Sequence, residues 1–310
     1  MNFQPDSKVL IQGIAEPLGA SHTPLMKAYG TQVVAGVSSG RGREVLHDIP
    51  VFDLVEQAVE AVGEIDATLI FSPPYQALDA ALEAIAAGIH QIIIITEGMP
   101  PLDMIRLVER AEATDTLVVG PNSPGIIVPG QVLLGTYPAD LFTPGPVGII
   151  SRSSTLTYEV GLVLTKAGLG QSIVVGIGSD SIVGSSFAQW LQILDEDEHT
   201  EAIVLVGEVG GESEEISAQY IKENIDKPVI AYVAGRTAQI SKPLGHGAAV
   251  QRWHQEVIVD TPISDKGLDI GTAASKIAAF KAAKVPVADR PSKIPSLLEK
   301  ALKPSAAKAG

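Results

Sequence analysis

A histidine between two glycines is the first candidate for chemistry in this sequence. His246 lies in Gly245-His246-Gly247, after a stretch of short and polar residues over 238–244. That composition predicts a loop rather than a helix or a buried strand. A neutral imidazole is a competent nucleophile near pH 7, and flanking glycines would let it move. Because the sequence has no cysteine nucleophile and no metal-binding motif, His246 is the leading candidate for a catalytic residue.

A carboxylate that could orient this histidine lies in a glycine-rich segment nearer the amino terminus. Glu208 belongs to Gly207–Gly211, which directly follows the predicted strand Ala202–Val206. From the carboxyl edge of a sheet, a carboxylate could accept a hydrogen bond from a histidine ring and fix its tautomer. A surface charge on a glycine turn would have the same pattern, so both interpretations stay open.

Two strand-to-helix junctions have the composition of anion-binding sites. Gly13–Gly19 follows the first predicted strand, and Ser151–Thr155 opens a later helix. Free backbone N–H groups at a helix start, together with hydroxyl groups, can bind a phosphate. An ordinary tight turn and a plain helix cap are the alternatives. Ala15 stands where the G-x-G-x-x-G pattern has its middle glycine, so the dinucleotide fingerprint is absent.

Two other loops follow predicted strands and carry residues that suit a ligand. Ser38–Arg43 contains Arg41 and Arg43, whose guanidinium groups can grip a phosphate through forked hydrogen bonds. A solvated loop is the alternative, but clustered arginines in an acidic protein favour phosphate. Gly120–Gly125 lies at the carboxyl end of the fifth predicted strand, where open α/β sheets bind ligands, although a rigid turn would look the same.

The elements that would position these residues alternate between strand and helix. Apolar runs of strand length alternate with segments of helical period, which predicts parallel sheets covered by helices. The predicted strands are Val9–Gln12, Gln32–Gly36, Thr68–Phe71, Gln91–Ile95, Thr116–Val119, Val147–Ser151, Ser172–Ile177, Ala202–Val206 and Val229–Val233. The predicted helices are Thr23–Tyr29, Leu54–Val62, Ala77–Ala87, Pro101–Ala113, Thr155–Ala167, Ser186–Leu194 and Glu214–Asn224.

A dense run of proline and glycine separates two series of these elements. Residues 121–145 predict a linker or crossing loop, and the alternation restarts with the strand at Val147. The predicted fold class is α/β with two doubly wound domains, residues 1–143 and 144–302. The small, polar segment 303–310 predicts a frayed, disordered tail.

Composition excludes several classes of partner and location. The net charge of −14 argues against a nucleic-acid partner, because phosphate-backbone binding needs a basic face. Apolar runs such as Ile92–Ile95 are strand-sized, so no membrane span is predicted. Residues 1–7 lack the charged start and apolar region of a signal peptide. The absence of cysteine fits a cytoplasmic protein.

Taken in order, these segments resemble the α subunit of succinyl-CoA synthetase, also called succinate–CoA ligase. The resemblance extends from Val9 to about Ala249 and weakly to Leu302. Several motifs in a fixed order are more specific than any one of them. The most specific matches are Ile95–Gly98, Gly120–Asn122, Ser151–Ser153, Thr155–Glu159, Gly207-Glu208 and Gly245-His246.

For the first domain, the resemblance implies a Rossmann-like fold that binds CoA. Arg41 stands where the family usually has a lysine. Ser123 replaces a common cysteine and would lie near the substrate or the subunit contact. The implied CoA contacts are Ala15, Glu16, Pro17, Leu18, Arg41, Ser72, Pro73, Ile95, Thr96, Glu97, Asn122 and Pro124.

For the second domain, the resemblance implies a flavodoxin-like fold in which His246 is phosphorylated and Glu208 orients its ring. Tyr158 would lie at the contact with a β subunit. That subunit, with an ATP-grasp fold, would supply the sites for ATP and Mg²⁺, and no metal site is expected in this chain. The implied phosphate-binding residues are Ser153, Ser154 and Thr155.

The implied activity is the ADP-forming ligation of succinate to CoA, a reaction of the tricarboxylic acid cycle, through phosphohistidine and an acyl phosphate. Ser154 replaces a usual glycine, and Gly247-Ala248 reverses the usual order after the histidine. Two alternatives stay open. One is a ligase of the same family for another acid such as malate, and the other is a catalytically impaired CoA-binding regulatory homologue. The missing glycine at Ala15 disfavours a nicotinamide dehydrogenase.

Overall fold

The computed structural model describes residue 3, residues 5–237 and residues 271–302. His246 and the segment 303–310 lie outside the described residues. The chain divides into two compact units. The first comprises Met1–Ala139 and Val175–Ser185, and the second comprises Asp140–Val174 and Ser186–Gly310.

The first unit is a parallel sheet with helices between its strands. Its strand order is β3-β4-β2-β1-β5-β6-β7, and all pairs except β3–β4 are parallel. The strands are β1 (Lys8–Gln12), β2 (Gln32–Val37), β3 (Val45–Leu46), β4 (Ile49–Phe52), β5 (Ala67–Ile70), β6 (Gln91–Ile94) and β7 (Leu117–Val119). The helices are α1 (Pro17–Tyr29), α2 (Val55–Val62), α3 (Ala77–Ala86) and α4 (Pro101–Ala113).

The order in which the chain adds strands to this sheet changes direction between β1 and β5. From β1 it winds out to β2, and it later returns to the other side of β1 through β5. Ligands of open α/β sheets bind outside the carboxyl ends of strands at such a switch point. The strands that flank it are buried on both faces, as in parallel sheets generally. The junction Gly13–Gly19 and Ser72 follow these two strands.

Helix α1 begins earlier than the apolar pattern predicts. The pattern indicated a start near Thr23, whereas Pro17 is at the start of the helix. Proline suits the first helical turn because its ring presets φ and its missing N–H is not needed there. Leu18 and Gly19 are therefore helical residues, and the turn after β1 is shorter than predicted.

The prediction of a linker over residues 121–145 is wrong for its central part. Strands β8 (Gly125–Val128) and β9 (Val132–Gly135) form an antiparallel hairpin in the first unit. A side chain at Gly125 would come within 2.0 Å of Leu134 O, so the close approach of the strands requires glycine. The density of glycine therefore indicated tight pairing rather than a linker.

The second unit is also a parallel α/β arrangement. Its strands follow the order β14-β13-β12-β10-β11, and the pairs β10–β12, β12–β13 and β13–β14 are parallel. The strands are β10 (Pro144–Ser151), β11 (Gln171–Gly176), β12 (Ala202–Gly207), β13 (Val229–Val233) and β14 (Val287–Ala288). The last two residues of β11 are grouped with the first unit. The helices are α5 (Ser154–Lys166), α6 (Phe187–Glu196), α7 (Ser213–Asn224), α8 (Ala273–Ala282) and α9 (Ile294–Leu302).

Two 3-10 helices, Ala139–Leu141 and Pro291–Lys293, complete the described elements. Strand β12 is buried along its whole length. The observed architecture agrees with the predicted class of α/β fold with two doubly wound domains. Among the helices of the described residues, none is both long and apolar enough to cross a membrane.

Candidate functional site

The turn between β1 and α1 is held close to the end of β5. Gly13 has φ +76°, and a side chain there would lie 2.7 Å from the backbone N of Ser72. A side chain at Gly19 would come within 2.2 Å of Gly13 O, so helix α1 also starts against the turn. The two glycines let the turn pack against Ser72 and let α1 start directly against the turn, and a helix start there suits an anionic group.

Within this turn, the four predicted CoA residues differ in exposure. Ala15 and Glu16 are half-buried, whereas Pro17 and Leu18 are exposed. Glu16 is the N-cap residue of α1, but its side chain makes no capping hydrogen bond. The first N–H groups of the helix are therefore not satisfied by the cap side chain and can serve a ligand.

A chain of hydrogen bonds connects the ends of β5, β6 and β7. Thr96 Oγ1 donates to Ser72 O at 2.7 Å, and Asn122 N donates to Thr96 O at 2.8 Å. Ile95 N donates to Ile70 O at 3.0 Å, which fixes the end of β6 against β5. The structure thus brings Ser72, Thr96 and Asn122 together at one edge of the sheet, and their role in a shared ligand site stays a prediction.

Asn122 has an acidic partner that sequence reasoning missed. Its Nδ2 donates to Asp180 Oδ1 at 3.0 Å, from a loop 58 residues further along the chain. Asn122 has φ +54°, a left-handed conformation that asparagine tolerates better than most residues. Asp180 therefore determines which way the amide group points, and the amide oxygen remains as an acceptor.

Ser123 and Pro124 are buried in the loop that follows. The Ser123 hydroxyl donates to Gly176 O and accepts a hydrogen bond from Gly125 N at 2.8 Å. A side chain at Gly176 would come within 2.4 Å of the Pro124 ring, so these residues are in tight contact. Their hydrogen bonds and packing shape the loop that carries Asn122, whatever contacts they make with a ligand.

Arg41 lies on an exposed loop after β2. Its guanidinium forms an ion pair with Glu44 at 2.7 Å, and this hydrogen-bonded partner raises the pKa of Arg41. Asp53 Oδ1 accepts hydrogen bonds from Gly40 N at 2.8 Å and from Gly42 N at 3.0 Å. The loop backbone is therefore fixed by Asp53, while the Arg41 side chain remains accessible from solvent.

The remaining predicted CoA contacts lie at the same strand ends. Pro73 is half-buried directly after Ser72, and Ile95 is buried directly after β6. Glu97 is exposed and begins the short loop before α4. These positions border the switch point, although their contacts with a ligand remain predictions.

In the second unit, α5 begins at a serine whose hydroxyl does not cap the helix. Ser153 is the N-cap residue, but its side chain makes no capping hydrogen bond. Instead, Ser151 Oγ donates to Ser153 O at 2.9 Å and accepts from Ser153 N at 3.0 Å. Ser154 is half-buried and Thr155 is exposed. This helix start offers backbone N–H groups and hydroxyls to an anion. Tyr158 is half-buried one turn further along α5.

Glu208 lies directly after β12 and is half-buried rather than a fully exposed surface charge. Its backbone N donates to Glu214 Oε1 at 3.0 Å. Strands β10 and β12 are parallel neighbours, and Ser151 pairs with Val206 in their register. The loops with Ser153 and Glu208 therefore leave the same edge of the sheet from adjacent strands. His246 lies outside the described residues, so its predicted contact with Glu208 stays a prediction.

The described residues contain no group of three or more His, Cys, Asp or Glu side chains that could hold a metal ion. The chemistry that these parts of the chain offer is anion binding at helix starts, hydrogen bonding from Asn122, and one half-buried carboxylate, Glu208. Those groups suit a phosphorylated ligand and a phosphoryl group.

Comparison with known proteins identifies the family. A model of the CoA binding domain matches residues 4–98, and a model of the CoA-ligase domain matches residues 150–261. The alpha 2 subunit of ADP-forming succinate–CoA ligase from Archaeoglobus fulgidus is 44% identical over 296 residues, which cover 96% of this chain and 97% of that protein. This chain belongs to the family of succinate–CoA ligase α subunits.

Other members of the succinate–CoA ligase family match at similar length. The α subunit from Aquifex aeolicus is 42% identical, and the match covers 96% of this chain and 93% of that protein. The α subunit from Staphylococcus epidermidis is 38% identical with the same coverage of both chains. The matches span both units, so the family assignment applies to the whole α-subunit architecture and confirms the resemblance seen in the motifs.

Solved structures support the fold of the succinate–CoA ligase α subunit. ATP citrate lyase from Methanothrix soehngenii, in complex with citrate and coenzyme A, superimposes with a TM-score of 0.82 at 22% identity. The match covers 97% of this chain and 50% of that chain. A dinucleotide-forming acetyl-coenzyme A synthetase from Ca. Korarchaeum cryptofilum gives a TM-score of 0.67 at 20% identity, covering 92% of this chain and 58% of that chain.

Proposed function

We propose that this chain is the α subunit of an ADP-forming succinate–CoA ligase. The overall reaction converts succinate, CoA and ATP into succinyl-CoA, ADP and phosphate. The observation that carries the proposal is the match to α subunits of such ligases over 96% of this chain. The anion-binding helix starts and the hydrogen-bonded strand ends support it independently, because the reaction handles CoA phosphates and a transferred phosphoryl group.

The first chemical step would take place on the imidazole of His246. Its neutral ring nitrogen attacks the terminal phosphorus of ATP, a P–N bond forms, and the bond to ADP breaks. The carboxylate of Glu208 would accept a hydrogen bond from the other ring N–H and stabilise the tautomer with the free lone pair. The N–H groups and hydroxyls of Ser153, Ser154 and Thr155 would donate hydrogen bonds to the phosphoryl oxygens.

The next steps would pass the phosphoryl group to the acid and then release it. A carboxylate oxygen of succinate attacks the phosphorus of phosphohistidine, which gives succinyl phosphate and restores the imidazole. The CoA thiolate then attacks the acyl carbon, a thioester forms, and phosphate leaves. His246 would move between the site where ATP phosphorylates it and the site where it transfers the phosphoryl group to succinate. This movement would account for the glycines on either side of it.

The CoA site would lie at the switch point of the first unit. Ala15, Glu16, Pro17 and Leu18 would contact CoA at the start of α1, where N–H groups favour a phosphate. Arg41 would add a positive charge from the loop after β2. The hydrogen-bonded strand ends would contribute the remaining contacts, which are Ser72, Pro73, Ile95, Thr96, Glu97, Asn122 and Pro124.

The proposed enzyme would be complete only with a second chain. A β subunit with an ATP-grasp fold would bind ATP and Mg²⁺, and Mg²⁺ would offset negative charge on the nucleotide phosphates. Tyr158 on α5, together with Ser123, would lie where the acid or the partner meets this chain. A cytoplasmic location is proposed from the lack of cysteine and from the metabolic substrates.

The test of this function is thioester formation by the assembled complex. The chain is co-produced with its β subunit and incubated with MgATP, CoA and one acid at a time, and acyl-CoA products are identified by mass spectrometry. Succinyl-CoA as the preferred product supports the proposal, and omission of β should abolish it. Preferential formation of malyl-CoA would assign the same chemistry to another acid, and no thioester with any acid would favour a non-catalytic CoA-binding homologue.

A further inference from the structure

Three charged side chains are buried together beneath the Glu208 loop. In the second unit, the side chains of Glu214 and Lys276 are both 0% exposed, and that of Arg152 is 8% exposed. Arg152 Nη1 lies 3.0 Å from Glu214 Oε1, and Lys276 Nζ contacts Glu214 Oε2. Buried charges in proteins are normally paired and hydrogen-bonded, and the three charges of this cluster meet that requirement by pairing with one another.

The cluster is bonded to the backbone of the loop that carries Glu208. Glu214 accepts from Glu208 N at 3.0 Å, Arg152 donates to Gly210 O at 3.0 Å, and Lys276 donates to Gly211 O at 2.9 Å. Each of the three charged residues thus holds a different point on the same four-residue turn. Glu214 also packs against the end of β12, because a side chain at Gly207 would lie 2.6 Å from Glu214 Cγ.

The same cluster reaches the start of α5, the helix that is proposed to bind the phosphoryl group. Arg152 stands between Ser151 and Ser153, and its backbone N donates to Val206 O at 3.1 Å. Its side chain then crosses to the loop after β12. A single arginine therefore couples the start of α5 to the turn that carries Glu208.

The Glu214 carboxylate in the cluster is ionised near neutral pH. Burial by itself raises the pKa of Glu214, but the charges of Arg152 and Lys276 outweigh burial and hold that pKa below its ordinary value. Glu215 adds a second carboxylate on Lys276 at 3.3 Å. Glu214 therefore stays ionised and keeps its hydrogen bond to Glu208 N.

We propose that Glu214, held between Arg152 and Lys276, is a positioning residue that fixes the Glu208 carboxylate for phosphorylation of the histidine. The inference rests on the proposed function, because it assigns Glu214 a role only through Glu208. Replacement of Glu214 should slow phosphohistidine formation, while CoA binding by the first unit is unchanged.

A double-mutant cycle tests this role in the complex with the β subunit. The rate of phosphohistidine formation from MgATP is measured for wild type, Glu208→Gln, Glu214→Gln and the double variant. If Glu214 acts through Glu208, Glu214→Gln lowers the rate of phosphohistidine formation about tenfold in the wild-type background. In the Glu208→Gln background, the same substitution hardly lowers that rate further. An equal factor in both backgrounds, or no effect in either, would contradict the proposal.

Two controls separate positioning from folding. Asp289→Asn removes an exposed ion pair of the same unit, Arg236 with Asp289, and should leave the rate unchanged. Glu214→Asp keeps the charge but shortens the side chain, so it should also slow phosphorylation without loss of CoA binding. If neither Glu214 variant assembles with β, the cluster is structural and the positioning role is wrong. Absence of phosphohistidine in wild type would instead contradict the proposed function.

Discussion

Asn122 Nδ2 donates a hydrogen bond to Asp180 Oδ1 at 3.0 Å, and this contact orients an amide at the end of β7. The backbone N of Asn122 is bound to Thr96 O at 2.8 Å, so both ends of the residue are fixed. Asn122 itself lies at the edge of the sheet where CoA is proposed to bind, and its amide oxygen can act as an acceptor. Asp180 is the residue that the structure adds to that edge.

Replacement of Asp180 by alanine should weaken CoA binding. The amide of Asn122 would lose its only fixed acceptor among the described contacts, and we expect the Kd for CoA to rise roughly tenfold. Isothermal titration with CoA measures this. Glu109→Gln, an exposed change on α4 in the same unit, is the matched control and should leave the Kd unchanged. An unaltered Kd for Asp180→Ala would remove Asp180 from the site.

Gly13→Ala should destabilise the first unit and impair CoA binding together. The substitution places a side chain at φ +76° and 2.7 Å from Ser72 N, so the turn must move. We expect a loss of about 2–3 kcal/mol in the free energy of unfolding, measured by urea titration. The matched control is Gly88→Ala, which has φ +83° but open space around its side chain.

The comparison between the two glycines separates steric overlap from backbone strain. Gly88→Ala should cost about 1 kcal/mol through its left-handed backbone alone and leave CoA binding intact. Equal losses at Gly13 and Gly88 would show that the close approach to Ser72 is not what the turn requires.

The apolar pattern predicted most of this architecture because buried parallel strands are continuous apolar runs. β1, β5, β6 and β12 all lie within a residue or two of their predicted bounds. It missed β3 and β4, which are short and include Pro50, an exposed residue that interrupts the apolar pattern. It also missed α8, whose small alanine-rich sequence has little contrast between its faces.

The candidate sites were only partly predictable for a different reason. Motifs marked the strand ends that carry Asn122 and Glu208, because glycine and serine are needed there locally, whereas Ser72 was implied only by the family resemblance. The pairing of Asn122 with Asp180 and of Glu214 with Lys276 joins residues 58 and 62 positions apart. No local spacing encodes such contacts. Lys276 is the one charged residue in the first two turns of α8. This lysine among uncharged residues was the available signal for a buried charge.

Arg41 should contribute to CoA affinity through charge and not to folding. Its side chain is exposed and its ion pair among the described residues is with Glu44 of the same loop, so Arg41→Ala should leave the melting temperature unchanged. The Kd for CoA should rise, and the difference from wild type should shrink at high salt because exposed charges are screened. Titrations at two salt concentrations measure this, and a salt-independent difference would argue against a phosphate contact.

The buried Glu214 should make the second unit less stable in acid. Because its folded pKa lies below the ordinary value of 4.5, its stabilising contribution is complete above that pH. The contribution is lost as the pH falls through the lower folded pKa and the carboxylate takes up a proton. The difference in free energy of unfolding between wild type and Glu214→Gln should therefore narrow below about pH 4. A constant difference from pH 7 to pH 3 would show that the Glu214 charge is not stabilising.

The proposed reaction requires that the chain transfer a phosphoryl group through His246. The direct measurement is peptide mapping of the complex with its β subunit after incubation with ATP labelled in the terminal phosphate, and Mg²⁺. Acid-labile, base-stable label should appear on the peptide that contains His246, should be absent in His246→Ala, and should be released when succinate and CoA are added. No label on His246 in a complex that binds both CoA and ATP would show that the reaction does not pass through this histidine.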